Sequence, residues 1–216
     1  MIELHTAPTP NGQKAMLMLE EAGLEYELVL VNFGKGDQRS EEHTRLSLNQ
    51  KVPAIVDTDG PGGGEYTMME SNAIIVYLAE KSGKFYSDDA RTRYDIQQWM
   101  LFQAGHIGPM FGQANHYIRF AKEDVPYAKE RYHSEVLRLY SVLENRLGQS
   151  EYIGCDDYSI ADIASYSWTK GWETYDFDLD EHPNFKRWLS ALEARPAVQR
   201  VNEAAVRIRA EMQASA

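Results

Sequence analysis

With one cysteine, Cys155, the chain cannot form an intrachain disulfide, which suits a reducing compartment. Basic residues are also in deficit: 22 Lys and Arg against 33 Asp and Glu leave a net charge of −11. A surface of that sign repels nucleic acid and anionic lipid, so neither nucleic acid nor a membrane is expected as a main partner. Long apolar runs are missing. The longest, Ala73 to Ala79, is far short of the ~20 residues that span a bilayer. The first residues, Met1-Ile2-Glu3-Leu4-His5, lack the basic start and apolar core of a signal peptide, and the cytoplasm is the expected location. The histidines, at positions 5, 43, 106, 116, 133 and 182, form no tight ligand pair, so no metal is expected. Gly60 to Gly64 lacks a following Lys-Ser/Thr and opens no helix, which makes it a turn and not a phosphate loop. Cys155 has no basic neighbour in sequence to activate it and reads as a spectator thiol.

What is present is a chain of 216 residues, 43% of them hydrophobic, long enough for one large domain or two small ones. Its first 80 or so residues alternate strand and helix patterns. Ile2 to Thr6 reads as a strand, stopped by Ala7-Pro8-Thr9-Pro10. A helix is expected over about Gly12 to Ala22, where Ala15, Met16, Leu19 and Ala22 recur at helical spacing and Gly23 can close the end. Tyr26, Leu28 and Leu30 mark a second strand. A polar stretch with a short helix near Ser40 to Leu46 follows. Val52 to Asp57 and Tyr66 to Met69 then read as two strands of a hairpin across the glycine run, and a helix runs from Ser71 to Ser82-Gly83. A β-α-β unit followed by β-β-α is the thioredoxin-type layout.

After a polar linker over residues 84–91 the strand signals fade. Helical patterns cover about Thr92 to Ala121, Tyr127 to Leu147, Ser159 to Gly171 and Phe185 to Ala194. Gly105, Gly108 and Pro109 predict a kink in the first of these. Ser159 and Asp162 stand at the spacing of a capping box. The expected organisation is therefore α/β plus all-α: a thioredoxin-like βαβ-ββα domain over residues 1–83, a linker over 84–91 and a helical bundle over 92–216.

Three segments can carry chemistry: the first helix start at Thr9-Pro10-Asn11-Gly12, the Val52-Pro53 pair, and Glu70-Ser71 where a strand passes to a helix. Each alone is also an ordinary loop, trans proline or helix cap. In a thioredoxin-type fold they converge on one side. A helix start favours an anion such as a thiolate, with Thr9 and Asn11 as short donors. A cis Val52-Pro53 bond would turn the Val52 backbone toward an extended peptide. Glu70 can take an ammonium and Ser71 a carboxylate. An amino-acid head, an extended backbone and a thiolate together describe glutathione.

The strings Thr9-Pro10-Asn11-Gly12-Gln13-Lys14, Asn49-Gln50-Lys51-Val52-Pro53-Ala54-Ile55-Val56-Asp57, Glu70-Ser71-Asn72-Ala73-Ile74 and Tyr158-Ser159-Ile160-Ala161-Asp162, in this order over almost the whole chain, closely resemble cytosolic glutathione transferases. The Thr-Pro-Asn-Gly start and Gly108-Pro109-Met110 most resemble the nu class, which also resembles a fungal prion-forming nitrogen regulator. Neither a tyrosine nor a cysteine stands at the end of the first strand, as tyrosine- or cysteine-dependent relatives would require. The resemblance implies activation of bound glutathione by Thr9 and Asn11. It implies glutathione contacts from Asn11, Gln38, Val52, Pro53, Glu70, Ser71 and Arg131. Disulfide reduction is implied ahead of conjugation or peroxidase activity, and a homodimer is implied as the assembly. A non-catalytic regulator or scaffold is the rival reading, against which the intact Glu70-Ser71 pair counts. The kinked helix with Met110, Gln113 and His116 has the glycines and mixed polarity of one wall of a second-substrate pocket, which is expected here ahead of plain core.

Overall fold

In the computed structural model, which describes residues 1–214, β1 (Ile2–Thr6) runs parallel to β2 (Tyr26–Leu30), with Ile2 opposite Tyr26. The crossover between them is α1 (Pro10–Ala22). After a 3₁₀ turn and the short helix α2 (Glu41–Leu46), β3 (Ala54–Asp57) lies antiparallel to β1 and β4 (Tyr66–Met69) antiparallel to β3. The sheet order is β2-β1-β3-β4, and α3 (Ser71–Ser82) follows. This is the expected βαβ-ββα arrangement. β3 starts at Ala54, two residues later than the hydrophobic run, because Pro53 has no N–H to give a ladder. α1 starts two residues earlier, at Pro10, because Thr9 caps it and proline suits the first helical position.

The core of this unit is apolar. Leu4, Leu19, Ala54, Ile55, Ile74, Ile75 and Leu78 are fully buried. A carboxylate is sealed in with them. Asp57, at the end of β3, accepts from Tyr77 Oη at 2.6 Å and pairs with Lys81 Nζ at 3.0 Å. Burial alone would push its carboxyl up. The hydrogen bonds from Tyr77, the Asp59 backbone and Lys81 more than reverse that and hold it below the usual carboxylate range. The pair fastens α3 to the central strands.

The second unit, Phe85–Glu193, is helical. α4 (Ala90–Phe102) runs into a π turn at Gln103–Ile107, then α5 (Gly108–Asn115), then a second π turn at His116–Phe120. The expected kink is thus a local widening of the helix, placed where Pro109 supplies no N–H and the glycines hold the backbone loosely. α6 (Pro126–Leu147), α7 (Ile160–Thr169) and α8 (Pro183–Glu193) complete it. Phe111, Tyr140, Phe185 and Trp188 fill its centre. The capping box forms: Ser159 caps α7 while Asp162 accepts from the Ser159 N–H at 2.9 Å, and also from Ile153 N–H at 2.9 Å and Trp188 Nε1 at 2.8 Å.

The last helix, α9 (Pro196–Ala214), does not stay with these helices. From Ala194 onward the chain belongs to the same compact unit as residues 1–84. The sequence grouped residues 92–216 together; the contacts instead return the final segment to α1. Arg195 makes a two-pronged pair with Glu21, at 2.6 and 2.9 Å, and Arg200 reaches Glu20 at 2.7 Å. Among the described residues no helix is long and apolar enough to cross a membrane.

Candidate functional site

The start of α1 is built by Thr9. Its hydroxyl oxygen accepts from the Gly12 N–H at 3.1 Å, and its carbonyl from the Gln13 N–H at 2.9 Å. Pro10 has no N–H at all. Backbone donors in this first turn are therefore largely committed to the cap, fewer than the sequence led one to expect. The Thr9 hydroxyl, having accepted from Gly12, still has its own proton to give. Asn11, half-buried, stands two residues along. Gly12 is required by space: a Cβ there would lie 2.2 Å from the Ala7 carbonyl oxygen and 2.3 Å from Thr6 Oγ1. The α1 start thus lies flat on the end of β1.

α3 begins at Ser71, which is buried, and the residue before it is the exposed Glu70. Glu70 has φ 74° and ψ 108°, a backbone region that side chains avoid and glycine tolerates. A glutamate kept in such a place points to a use for its carboxylate. Beneath Ser71 lies Lys14 of α1, 2% exposed. Its Nζ donates to Ser71 Oγ at 3.3 Å and to Asn72 Oδ1 at 3.1 Å. Burial drags this lysine down to about 7, against the raising influence of the Glu70 carboxylate.

Val52 completes the group. It is buried in a small apolar cluster with Ala7, which precedes α1, and Val31, which follows β2. The cis Val52-Pro53 bond is present as anticipated. Gln38 sits on the 3₁₀ turn Asp37–Arg39, and its Oε1 is buried with no hydrogen-bond partner among the described residues. The contacts of Ala7 with Val52, and of Lys14 with Ser71, hold three of the predicted segments together within one unit.

Beside Thr9 a hollow of about 260 Å³ is lined by Ala7, Pro8, Asn32, Phe33, Arg209 and Met212 among others. The Arg209 guanidinium is at 3.5 Å from the Pro8 carbonyl oxygen. The sequence reading missed Lys14, Phe33 and Arg209. Lysine at a helix position reads as solvated, and only the approach of α3 buries it. Arg209 is some 200 residues from Thr9, and no local pattern links them.

The remaining predicted residues lie in the helical unit. Arg131 is exposed on α6 and shares with Met110 a cavity of about 560 Å³, also lined by Tyr127, Glu135 and Arg138. Gln113 and His116 stand exposed three and six residues beyond Met110. Cys155 donates to the Asp157 carbonyl at 3.3 Å, and burial pushes its thiol up. No His, Cys, Asp and Glu cluster among the described residues could hold a metal ion.

A family model described as Glutathione S-transferase, N-terminal domain, matches residues 2–80, and one for the Glutathione S-transferase C-terminal domain matches residues 107–196. The disulfide-bond oxidoreductase YfcG of Escherichia coli K12 is 48% identical over 198 residues, 91% of this chain and 92% of that protein. Disulfide-bond oxidoreductase YghU of the same organism is 33% identical, over 92% of this chain and 73% of its own. A glutathione transferase from Burkholderia graminis, crystallised with two glutathione molecules per subunit, matches with a TM-score of 0.87 at 44% identity, covering 93% of this chain and 86% of that one. A glutathione transferase from Pseudomonas putida, with one glutathione disulfide bound per subunit, gives 0.88 at 42% identity over 93% and 90%.

Proposed function

The chain belongs to the glutathione S-transferase family, and on that premise we propose that it is a glutathione-dependent enzyme whose main reaction is disulfide reduction, with conjugation and peroxide reduction as side activities. The observation that carries the reading is the coupling of two helix starts, Thr9 at α1 and Glu70-Ser71 at α3, through Lys14. Glu70 takes the ammonium of the glutamyl head and Ser71 its carboxylate. Val52 and Pro53 receive the extended backbone, with Gln38 as a further contact. The sulfur then comes to Thr9 and Asn11.

A free thiol has a pKa of about 8.5 and is mostly protonated at pH 7. The α1 dipole and donors from Thr9 and Asn11 favour the thiolate. That thiolate attacks one sulfur of a disulfide RS–SR′. A GS–SR bond forms, the S–S bond breaks, and R′S⁻ leaves and takes up a proton. A second glutathione thiolate attacks the glutathionyl sulfur of GS–SR and releases RS⁻, which is protonated in turn. The balance is two glutathione plus one disulfide giving glutathione disulfide and two thiols. The hollow beside Thr9 suits the second reactant, with Phe33 and Met212 as apolar walls and Arg209 as a cation for a carboxylate. A homodimer and a cytoplasmic location complete the proposal, the latter supported by the single cysteine.

Two substitutions test the mechanism. Asn11→Ala should lower turnover of a small disulfide and raise the thiol pKa read from the ultraviolet absorbance of bound glutathione. Cys155→Ser should leave turnover nearly intact, since its thiol is pushed up by burial. A dead Cys155→Ser enzyme would mean that the protein thiol, not glutathione, is the nucleophile.

A further inference from the structure

A buried amine is expensive, and the chain keeps one at Lys14 where a methionine of similar length would pack. The side chain reaches from the second turn of α1 to the first residues of α3, donating to Ser71 Oγ at 3.3 Å and Asn72 Oδ1 at 3.1 Å. Because Ser71 Oγ accepts from Lys14, its own proton is directed elsewhere. This matters only on the reading above, in which Ser71 receives the glutamyl carboxylate. We propose that Lys14 is a positioning residue for that carboxylate: it fixes the Ser71 hydroxyl as a donor, supplies the positive charge behind it, and takes up a proton when the carboxylate arrives.

The surroundings support a lysine that changes charge on binding. With burial holding it near 7, the unliganded side chain is mostly neutral at pH 8. An opposite charge arriving within ~4–6 Å favours the charged form by about 1–3 pH units. The Glu70 carboxylate already pulls in this direction. In the ligand complex the ammonium of glutathione engages Glu70, so the carboxylate at Ser71 becomes the dominant partner of Lys14. Arg195, just before α9, and Arg200, on it, are engaged with Glu21 and Glu20, further along α1. On β1, the titratable groups Glu3 and His5 bond to each other at 3.1 Å.

The direction of the linkage follows. Binding that raises the lysine pKa takes up protons, so affinity must fall as pH rises above 7. S-methylglutathione is the probe, since it keeps the amine and both carboxylates but has no thiol to titrate. Calorimetric titration of the full-length protein between pH 7 and 8.5, in buffers of different ionisation heat, should show uptake approaching one proton at pH 8. The dissociation constant should rise by up to about tenfold per pH unit. Lys14→Arg, charged throughout, should show only the uptake that belongs to the ligand's own amine, with a flatter profile. Lys14→Met should bind more weakly, with that same residual uptake. The excess of the wild type over both variants is the share of the lysine. Wild-type uptake no greater than that of Lys14→Met overturns the inference and leaves the glutathione reading standing. If Lys14→Met does not fold, the same comparison with Lys14→Arg decides the point. A wild-type protein that does not bind S-methylglutathione overturns the glutathione reading, and this inference with it.

Discussion

Glu70 shows how a single residue can be set against its own backbone. Its φ of 74° is a torsion at which a Cβ is unwelcome, and it stands immediately before the α3 start. Two substitutions that remove the same carboxylate separate the torsion from the charge. Glu70→Gly should be more stable than Glu70→Ala by about 1 kcal/mol in urea unfolding, because only glycine accepts the torsion freely. Both should bind glutathione more weakly by about 1.5–3 kcal/mol, the worth of a charged hydrogen bond. Equal stability of the two would show that the torsion carries no cost. The carboxylate at this position was legible in the sequence because an acid and a hydroxyl at a strand-to-helix handover are recognisable. The torsion was not legible, since nothing in the residue types announces it. Lys14 failed to register for a related reason: burial is a property of what packs on a side chain, and the sequence nearby shows only a helix with a lysine in it.

Among the elements, the ones read correctly carry their own punctuation. α1 is bounded by Thr9 and Gly23, α3 ends at Gly83, and the β3–β4 hairpin turns through the glycine run. α7 is the strongest case, because its capping box binds three segments at once. Asp162 is fully buried and accepts from Ile153, Ser159 and Trp188. Burial pushes its carboxyl up to about 6, against the downward pull of those donors. Asp162→Ala leaves every one of them buried and unanswered. The expected loss is ~3–5 kcal/mol, measured as a lower urea midpoint with an unchanged slope. A loss under 1 kcal/mol would show that the donors find other partners. α9 is the counter-example. Val198, Val201, Ala205 and Ile208 do form a helical stripe, but a stripe does not say which partner it covers. That choice is made by Glu20 and Glu21, distant in sequence.

For the whole molecule, surface apolar groups bear on assembly. Tyr94 and Leu101, two turns apart on one face of α4, are 71% and 67% exposed. A net charge of −11 keeps chains apart in general, so a specific pairing has to come from a local apolar patch of this kind. Light scattering at micromolar concentration should report twice the 24.7 kDa chain mass, and a value of 24.7 kDa would exclude the homodimer. The return of α9 to the first unit has a different kind of consequence. Residues 85–193 form a compact unit uninterrupted in the chain, whereas the unit around the sheet is split between residues 1–84 and the segment from Ala194 onward. During translation the strands emerge from the ribosome before the helical unit, and the helix that covers one side of α1 emerges after it. The helical unit can therefore finish folding while the sheet unit is still incomplete, and a chain stalled before Ala194 would leave that side of α1 open to the chaperones.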